Sequence, residues 1–442
     1  MRTLISDATI ISDLRRFAGQ VVIDDDVITD IIEDGQHVVS ADREIDAAGC
    51  FLLPGIIDSH VHFREPGLTE KADIRSESIA AAAGGVTSFF DMPNTLPQTT
   101  TNDALEQKFD IARRNSLVNY SFFFGATDSN VDLLPQLSEH RIPGVKLFMG
   151  SSTGDMLVDK RDSVERIFSN CKLPIMAHCE DSTIISQRME KAKERENTDD
   201  PDVAFHPYIR SREACLESSR LAVDIARKHD AHLHIAHIST KEELALIDGK
   251  KITGEAVVGH LLFSEEDYKS LGSLIKVNPA IKTIRDRDAI RKAIADGTLQ
   301  TVSTDHAPHR LEEKQGGCQK AASGMPIIQY SLPSMLSLVD EGIITMERLV
   351  ELMCHNQARI FSVHNRGFIR EGYYADLVLV RRLEEPWVVT KENILSKCGW
   401  SPLEGRPFHW RVETTLCNGK EVFGPSGVGN IPSPAMEIEF RR

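Results

Sequence analysis

The chain has 442 residues, of which 41% are hydrophobic and 26% charged, a composition typical of a globular enzyme. Its formal charge of −15 and pI near 5.6 argue against nucleic acid or an anionic membrane as a partner, because both are polyanions. No apolar run reaches the ~18 residues that a membrane-spanning helix needs, so no membrane partner is expected.

Residues 1–54 alternate short apolar runs with acidic and glycine turns, a pattern that predicts β-strands. The clearest runs cover residues 9–11, 20–23 and 27–32. The next apolar run, residues 50–59, leads directly into His60-Val61-His62. We expect this run to form a buried strand that ends at the two histidines.

Residues 55–365 alternate apolar strands with helical stretches. Strands are predicted near residues 88–91, 121–125, 145–149, 174–178, 232–237, 257–260 and 301–305. Residues 76–83, which are rich in alanine and followed by Gly84-Gly85, predict a helix with a glycine stop. About eight β/α units favour a (β/α)8 barrel of the TIM type, with a doubly wound sheet as the alternative.

Residues 366–442 return to short strands, near 375–380 and 412–422, and Asn418-Gly419 is a strong hairpin signal. Two β-rich ends around an alternating middle predict an α/β protein with two domains. Residues 1–54 and 366–442 are expected to form a small β-sandwich, and residues 55–365 the barrel.

The eight cysteines are scattered, mostly within apolar segments, and form no CxxC pair. Reduced core thiols are therefore expected rather than a disulfide framework, which predicts a cytoplasmic location. The N-terminus agrees with this expectation, because Asp7 comes too early for the apolar segment of a secretory signal.

Histidines fall at the ends of several predicted strands, the face on which a barrel builds its active site. His60 and His62 lie two residues apart, so both imidazoles project from one face of the strand and can hold one divalent metal. His178 and His237 end two later strands and offer imidazoles for a second metal. Each alone is equally well explained as a hydrogen-bonded core histidine, and His234 competes with His237 if the strand bulges.

Lys146 is a lone ammonium on the apolar strand Val145-Lys146-Leu147-Phe148. Burial there is costly and favours the neutral amine. A neutral buried amine can react with carbon dioxide to give a carbamate, whose two oxygens can bridge two metal ions. The alternative is an ion-paired ammonium beside a single zinc.

Asp305, in Thr304-Asp305-His306, combines a metal-binding carboxylate with a group for proton transfer. Zinc lowers the pKa of bound water to roughly 7, and the resulting hydroxide can attack an amide carbon. A carboxylate can then pass the proton to the departing nitrogen. The alternative is a turn or helix-capping aspartate.

Arg64 lies two residues beyond His62, and Asn94 follows the next strand. A guanidinium and an amide can clamp a substrate carboxylate, with arginine supplying the bidentate part. These residues therefore predict a small-molecule carboxylate as substrate. The alternative is a surface ion pair of Arg64 with Glu65 or Glu70.

Several motifs occur in an order that resembles the cyclic-amidohydrolase branch of the metal-dependent amidohydrolase superfamily, and within it the dihydroorotase family. The resemblance covers nearly the whole chain. It rests on residues 60–67 (HVHFREPG), 91–95 (DMPNT), 277–279 (VNP) and 304–309 (TDHAPH), together with Lys146, His178 and His237.

The resemblance implies two zinc ions bridged by carboxylated Lys146. His60 and His62 would bind one ion, His178 and His237 the other, and Asp305 would be both a ligand and the catalytic acid/base. Implied substrate contacts come from Arg64, Asn94, Asn278, His309 and Gly324. The implied reaction is the reversible cyclisation of N-carbamoyl-L-aspartate to L-dihydroorotate in de novo pyrimidine biosynthesis, by attack of a metal-bridging hydroxide. Similarity also suggests a homodimer.

Allantoinase and dihydropyrimidinase (hydantoinase) share most of this metal set, so the choice of substrate rests on Arg64 and on the order Pro93-Asn94-Thr95. A non-catalytic relative would have lost ligands, yet all six are present. The chain also departs from the pattern of its relatives: Lys146 stands where many bacterial members carry aspartate, and Ser323 precedes Gly324 where phenylalanine is usual.

Overall fold

The computed structural model describes residues 1–33, 40–150, 156–429 and 432–442. The chain begins with five strands, which are β1 (Arg2–Ser12), β2 (Arg15–Asp24), β3 (Val27–Glu33), β4 (Arg43–Asp46) and β5 (Cys50–Pro54). The three runs predicted from the first 32 residues are confirmed as parts of β1, β2 and β3.

The middle of the chain alternates strands with helices, as its pattern predicts. Its strands are β6 (Ile56–Val61), β7 (Val86–Asp91), β8 (Asn119–Phe122), β9 (Phe124–Gly125), β10 (Val145–Met149), β11 (Ile175–Cys179), β12 (Leu233–Ile235), β13 (Ile252–Val257) and β14 (Thr301–Ser303). Its α-helices are α1 (Ile74–Ala83), α2 (Asn102–Asn115), α3 (Arg161–Asn170), α4 (Ser182–Glu196), α5 (His206–Ile209), α6 (Arg212–Lys228), α7 (Val258–Leu262), α8 (Tyr268–Leu271), α9 (Ile284–Asp296), α10 (Ser331–Asp340), α11 (Met346–Val350) and α12 (Asn356–Phe361).

These central strands form two parallel sheets, one of six strands in the order β14-β13-β12-β11-β10-β9 and one of three in the order β6-β7-β8. Parallel strands buried on both faces read as nearly continuous apolar runs, which is what the sequence has here. The main cluster of buried apolar side chains includes residues from both sheets and from the helices between their strands. The α/β class is confirmed.

The two parallel sheets approach each other at β6 and at the segment that follows β14. The backbone N–H of His62 donates to the carbonyl of His306 at 2.8 Å, and Val61 forms an isolated parallel bridge with His306. The end of the histidine strand therefore lies beside the segment that carries Asp305.

The C-terminal strands β15 (Leu377–Val388), β16 (Pro407–Cys417), β17 (Lys420–Gly424) and β18 (Gly427–Val428) join the N-terminal ones in one nine-stranded sheet. β5 links the two groups, since it pairs in parallel with β1 and antiparallel with β15. The predicted hairpin lies between β16 and β17, where Asn418 and Gly419 both have positive φ angles of 48° and 73°. Such angles are those that a tight two-residue hairpin turn requires.

Two sequence predictions need correction. The run at residues 50–59 is not one strand. Its first part, β5, joins the nine-stranded sheet, and β6 joins the three-stranded parallel sheet, with Gly55 between them. A Cβ atom at Gly55 would lie 2.1 Å from the Thr87 hydroxyl, so the change of sheet needs glycine. The strand expected near residues 257–260 ends at Val257, and the following residues form α7.

The cysteine prediction agrees with the structure, because all eight thiols are unpaired. None of the helices in the described ranges combines the length and apolar character needed to cross a bilayer.

Lys108 on α2 and Asp91 at the end of β7 form a buried ion pair. The lysine Nζ lies 2.5 Å from Asp91 Oδ2 and donates to the carbonyl of Met92 at 2.8 Å. The other oxygen, Asp91 Oδ1, accepts from the backbone N–H of Phe63 at 2.7 Å. The pair therefore ties β7 to the chain immediately beyond His62.

We expect Lys108→Met to lower the free energy of unfolding by about 3–5 kcal/mol, because it leaves the Asp91 carboxylate buried without its cation. Equilibrium urea titration measures the change. Arg114→Met, at an exposed position on the same helix, is the matched control and should change stability by less than about 0.5 kcal/mol. Equal stability of the two variants would contradict a structural role for the pair.

Candidate metal centre

A cavity of about 650 Å³ opens at the carboxyl ends of the central parallel strands. All eleven residues that the sequence nominated line it, namely His60, His62, Arg64, Asn94, Lys146, His178, His237, Asn278, Asp305, His309 and Gly324. They come from at least seven separate segments of the chain, so their convergence is a consequence of the fold. The volume is within the ~300–1,000 Å³ range of small-molecule sites.

His60, His62 and Asp305 form a compact cluster at the floor of this cavity. Asp305 Oδ1 lies 3.1 Å from His62 Nε2 and 3.4 Å from His60 Nε2. Ligand atoms of all three residues lie within 4.8 Å of one another, a spacing that suits one shared metal ion. The two imidazoles therefore share one side of the strand end, as their spacing predicts.

The ring of His62 is oriented by Asn94, whose Oδ1 lies 2.8 Å from His62 Nδ1. Burial lowers the pKa of His62 to about 4, although Asp305 opposes this effect. The imidazole is therefore neutral at physiological pH, which is the form that binds metal. Asn94 contacts a candidate ligand in addition to lining the cavity where substrate contact is expected.

His178 and His237 meet in a second group, with His178 Nδ1 2.9 Å from His237 Nε2. His178 Nε2 is held by the Glu180 carboxylate at 3.0 Å. The competitor His234 lies elsewhere, with its ring nitrogens 2.7 and 3.2 Å from the hydroxyls of Thr253 and Thr301. His234 is therefore a hydrogen-bonded core histidine, and His237 is the one that lines the cavity.

The Lys146 side chain is fully buried, and within the described residues its Nζ makes no hydrogen bond and has no carboxylate within 4 Å. Burial lowers the pKa of Lys146 to about 8, although Glu255 and Asp305 oppose this effect. The alternative of an ion-paired ammonium therefore finds no partner here, and the amine is accessible to chemistry in the cavity.

Asp305 is held as a carboxylate. Burial by itself would raise the pKa of Asp305, but the electrostatic interaction with His60 and the hydrogen bond with His62 lower it to well below its usual value. Its backbone has a φ of 49°, and Arg64 and His237 also have positive φ angles of 68° and 38°. Left-handed conformations of residues other than glycine cost of order 1–3 kcal/mol and cluster at functional sites.

Arg64 is buried, with 6% exposure, and is not the surface ion pair that was the alternative. Its Nε donates to the carbonyl of Pro308 at 3.0 Å, and its Nη2 lies 3.0 Å from His309 Nε2. Glu65 instead accepts from the backbone N–H of Ile74 at 2.9 Å. Among the described residues no carboxylate lies within 4 Å of the Arg64 guanidinium.

His309 is sandwiched between two cations, because its other ring nitrogen, Nδ1, lies 3.3 Å from the Nζ of Lys71. Burial, then Arg64 and Lys71, lower the pKa of His309 far below its usual value, so the ring is neutral. Gly324 has a φ of 139°, and an added Cβ would lie 2.6 Å from the carbonyl of Ala307. Its own N–H donates to the carbonyl of Lys276 at 2.8 Å.

Sequence reasoning missed several polar residues that support or line the site. Glu255 on β13 contacts His60, and Glu180 contacts His178. Lys71, Arg210 and Lys276 also line the cavity. Glu255 could have been found by the signal that identified Lys146, a single charged residue inside an apolar strand.

Fold and site together define an α/β protein with a candidate divalent-metal centre at the carboxyl ends of its parallel strands. The chain belongs to the amidohydrolase family, whose model matches residues 51–422, and the family resemblance drawn from the sequence is confirmed.

Similar proteins carry three different names. A dihydroorotase from Methanosphaera stadtmanae is 32% identical over 403 residues, covering 87% of this chain and 91% of the relative. An allantoinase from Bacillus velezensis is 31% identical over 401 residues, covering 88% and 87% respectively. The solved structure of the L-hydantoinase (dihydropyrimidinase) from Arthrobacter aurescens matches with a TM-score of 0.94 at 25% identity, covering 99% of both chains.

We expect Lys146→Met to stabilise the metal-free protein at pH 7 in carbon-dioxide-free buffer. With a folded-state pKa of about 8 against an ordinary 10.5, the buried ammonium costs on the order of 3 kcal/mol below pH 8. This cost is lost as the pH rises from 8 towards 10.5, because the folded protein then holds the neutral amine. Urea titrations at pH 7 and pH 10 compare the full cost with a cost that is mostly lost.

Lys276→Met is the matched control for this prediction. Burial also lowers the pKa of Lys276 to about 8, but its ammonium donates to the carbonyls of Cys318 and Ala321. Removing it leaves those carbonyls unpaired, so stability should fall. A Lys146→Met protein that is less stable than wild type at pH 7 would contradict the unpaired state of Lys146.

Proposed function

We propose that this chain is a zinc-dependent cyclic amidohydrolase, and that its reaction is that of a dihydroorotase: the reversible hydrolysis of L-dihydroorotate to N-carbamoyl-L-aspartate in pyrimidine biosynthesis. Membership of the amidohydrolase family supports the reaction class. The dihydroorotase relatives at about 30% identity over most of the chain support the substrate.

The observation that carries the choice of substrate is the state of Arg64. Its guanidinium is buried in the cavity wall two residues from His62, with no carboxylate within 4 Å among the described residues. A buried cation is costly unless a charge of opposite sign compensates it. A carboxylate on the substrate supplies that charge, and dihydroorotate has one whereas dihydrouracil and allantoin do not.

The proposed architecture is a closed (β/α)8 barrel of residues 55–365 with a small β-sandwich domain of residues 1–54 and 366–442. The contacts between His62 and His306 support closure between the two parallel sheets. Pairing of β5 with strands from both termini supports the second domain. The unpaired cysteines support a reducing compartment, the cytoplasm.

The residues at the site fit a pair of zinc ions. Within the described residues, Lys146 Nζ and His237 Nδ1 are buried polar atoms without a hydrogen-bond partner, which indicates a site built for more than protein contacts. Imidazole and carboxylate donors are those that zinc prefers. His60, His62 and Asp305 would hold one ion, His178 and His237 the other, and a carbamate on Lys146 would join them.

Bound zinc would lower the pKa of a water molecule to roughly 7 and polarise the amide carbonyl. Asp305, an ionised carboxylate beside His60 and His62, accepts a proton from the attacking water. It returns that proton to the ring nitrogen as the C–N bond breaks, so that the ring opens to a ureido group and a carboxylic acid, whose remaining proton is released to solvent to leave a carboxylate. In the direction of ring closure the same residue moves the proton the opposite way.

The substrate carboxylate is assigned to Arg64, with Asn94 and His309 beside it. His309 is neutral and contacts Arg64, so it lines this position without adding a charge. Asn278 and Gly324 also line the cavity and are assigned to the ring. Holding the ring between these groups orients its carbonyl towards the zinc-binding residues.

The second candidate function is hydrolysis of a neutral cyclic amide, as in allantoinase or dihydropyrimidinase. The Bacillus velezensis relative and the TM-score of 0.94 to the Arthrobacter hydantoinase favour it. A neutral substrate would leave the charge of Arg64 uncompensated, so this function ranks second.

Zinc-loaded protein should hydrolyse L-dihydroorotate with a higher kcat/KM than allantoin or dihydrouracil. Ring opening is followed by ultraviolet absorbance at equal protein concentration for the three compounds. A preference for either neutral ring would overturn the assignment of substrate while leaving the reaction class in place.

Arg64→Met should raise KM for L-dihydroorotate by about 10- to 100-fold, the loss expected when a charged hydrogen bond is removed. Its zinc content should stay that of wild type, because Arg64 is not assigned to the metal. Arg75→Met, an exposed arginine on α1, is the matched control and should leave KM unchanged. Loss of zinc from the Arg64 variant would instead show that the residue had been assigned to the wrong role.

A further inference from the structure

Glu255 is a carboxylate buried at the centre of the site, on β13. Its Oε1 lies 2.8 Å from His60 Nδ1 and accepts the backbone N–H of His237 at 3.1 Å. Its Oε2 is 3.5 Å from the hydroxyl of Ser59. One acidic side chain thus touches a member of each of the two imidazole groups.

The contact with His60 determines which ring nitrogen faces the cavity. A carboxylate oxygen accepts hydrogen bonds, so His60 must carry its proton on Nδ1. This leaves the lone pair on Nε2, the atom that lies 3.4 Å from Asp305 Oδ1. Partners of this kind fix both the tautomer and the ring orientation of metal-binding histidines.

The contact with His237 acts on the backbone. His237 has a φ of 38°, a left-handed conformation that costs a residue with a side chain of order 1–3 kcal/mol. The hydrogen bond from its N–H to Glu255 holds this conformation, and with it the position of the ring, whose Nε2 is 2.9 Å from His178 Nδ1.

We propose that Glu255 is a positioning residue that sets the zinc affinity of both positions, through the tautomer of His60 and the backbone of His237. This inference rests on the proposed metal centre. Glu180 provides a contrast, because it holds only one ring, that of His178, and pairs with Arg210. Loss of Glu255 should therefore weaken both zinc positions, and loss of Glu180 only one.

The test is a titration of metal-stripped protein with zinc alone, in competition with a chromophoric chelator. We expect Glu255→Gln to weaken both binding steps by about tenfold and Glu255→Ala by up to about 100-fold. Glu180→Gln should weaken one step only. The matched control is Glu243→Gln, since Glu243 is equally buried but bonds to Ser219 and Thr240 rather than to an imidazole.

A second measurement separates positioning from loss of charge. In metal-free protein with ¹⁵N-labelled histidine, the ring nitrogens of His60 should report a proton on Nδ1 in wild type and in Glu243→Gln. In Glu255→Ala the proton should redistribute between the two nitrogens. The histidine signals are assigned with a His60→Gln variant, and melting temperatures identify any variant that fails to fold, in which case Glu255→Gln carries the test.

Unchanged zinc affinity in Glu255→Gln, weakening of only one step, or an unchanged His60 tautomer in Glu255→Ala would overturn the inference. Wild-type protein that binds no zinc would overturn the proposed metal centre itself, which is a distinct result. One titration series therefore distinguishes failure of the Glu255 inference from failure of the proposed metal centre.

Discussion

The site depends on ionisable side chains that are shielded from water at the carboxyl ends of the parallel strands. An imidazole, amine or carboxylate withdrawn from water is stable there only when a hydrogen bond, an opposite charge or a metal replaces its hydration. The protein meets this need unevenly: His62 and His60 are held by Asn94 and Glu255, whereas Lys146 is held by nothing among the described residues. Within the described residues, Lys146 Nζ is therefore a buried polar atom whose hydration no protein contact replaces.

Strain supports the same interpretation. Arg64, His237 and Asp305 each follow a strand and each turn into the left-handed region, which carries the side chain from the strand end over the cavity. The packed strands beneath them and hydrogen bonds such as that from His237 to Glu255 keep these conformations in place. These three conformations therefore lower the stability of the fold at the site, and the large apolar interior of the central sheets offsets that loss.

The sequence was sufficient to predict the α/β class and eleven of the residues that line the cavity. Most of them are polar side chains at the ends of apolar strands, which leave a clear pattern, whereas His309 and Gly324 came from the family resemblance. The sequence was less informative where one apolar pattern fits two different arrangements of strands. Residues 50–59 read as a single strand, since nothing in apolarity distinguishes two sheets that meet at Gly55. Glu255 carries the same sequence signal as Lys146, a single charged residue inside an apolar strand, but its contacts with His60 and His237 are set only by the tertiary fold.

Side chains that can hold a metal do not by themselves select a substrate, so we infer the substrate from charge that the protein leaves unbalanced. Arg210 is neutralised by Glu180, and Lys71 by Glu313 at 2.9 Å. Arg64, which is as buried as Arg210, differs from both because no carboxylate compensates it in the described chain. A neutral ring would leave that cation desolvated in every turnover, whereas an anionic ring completes the pair and gains energy from it.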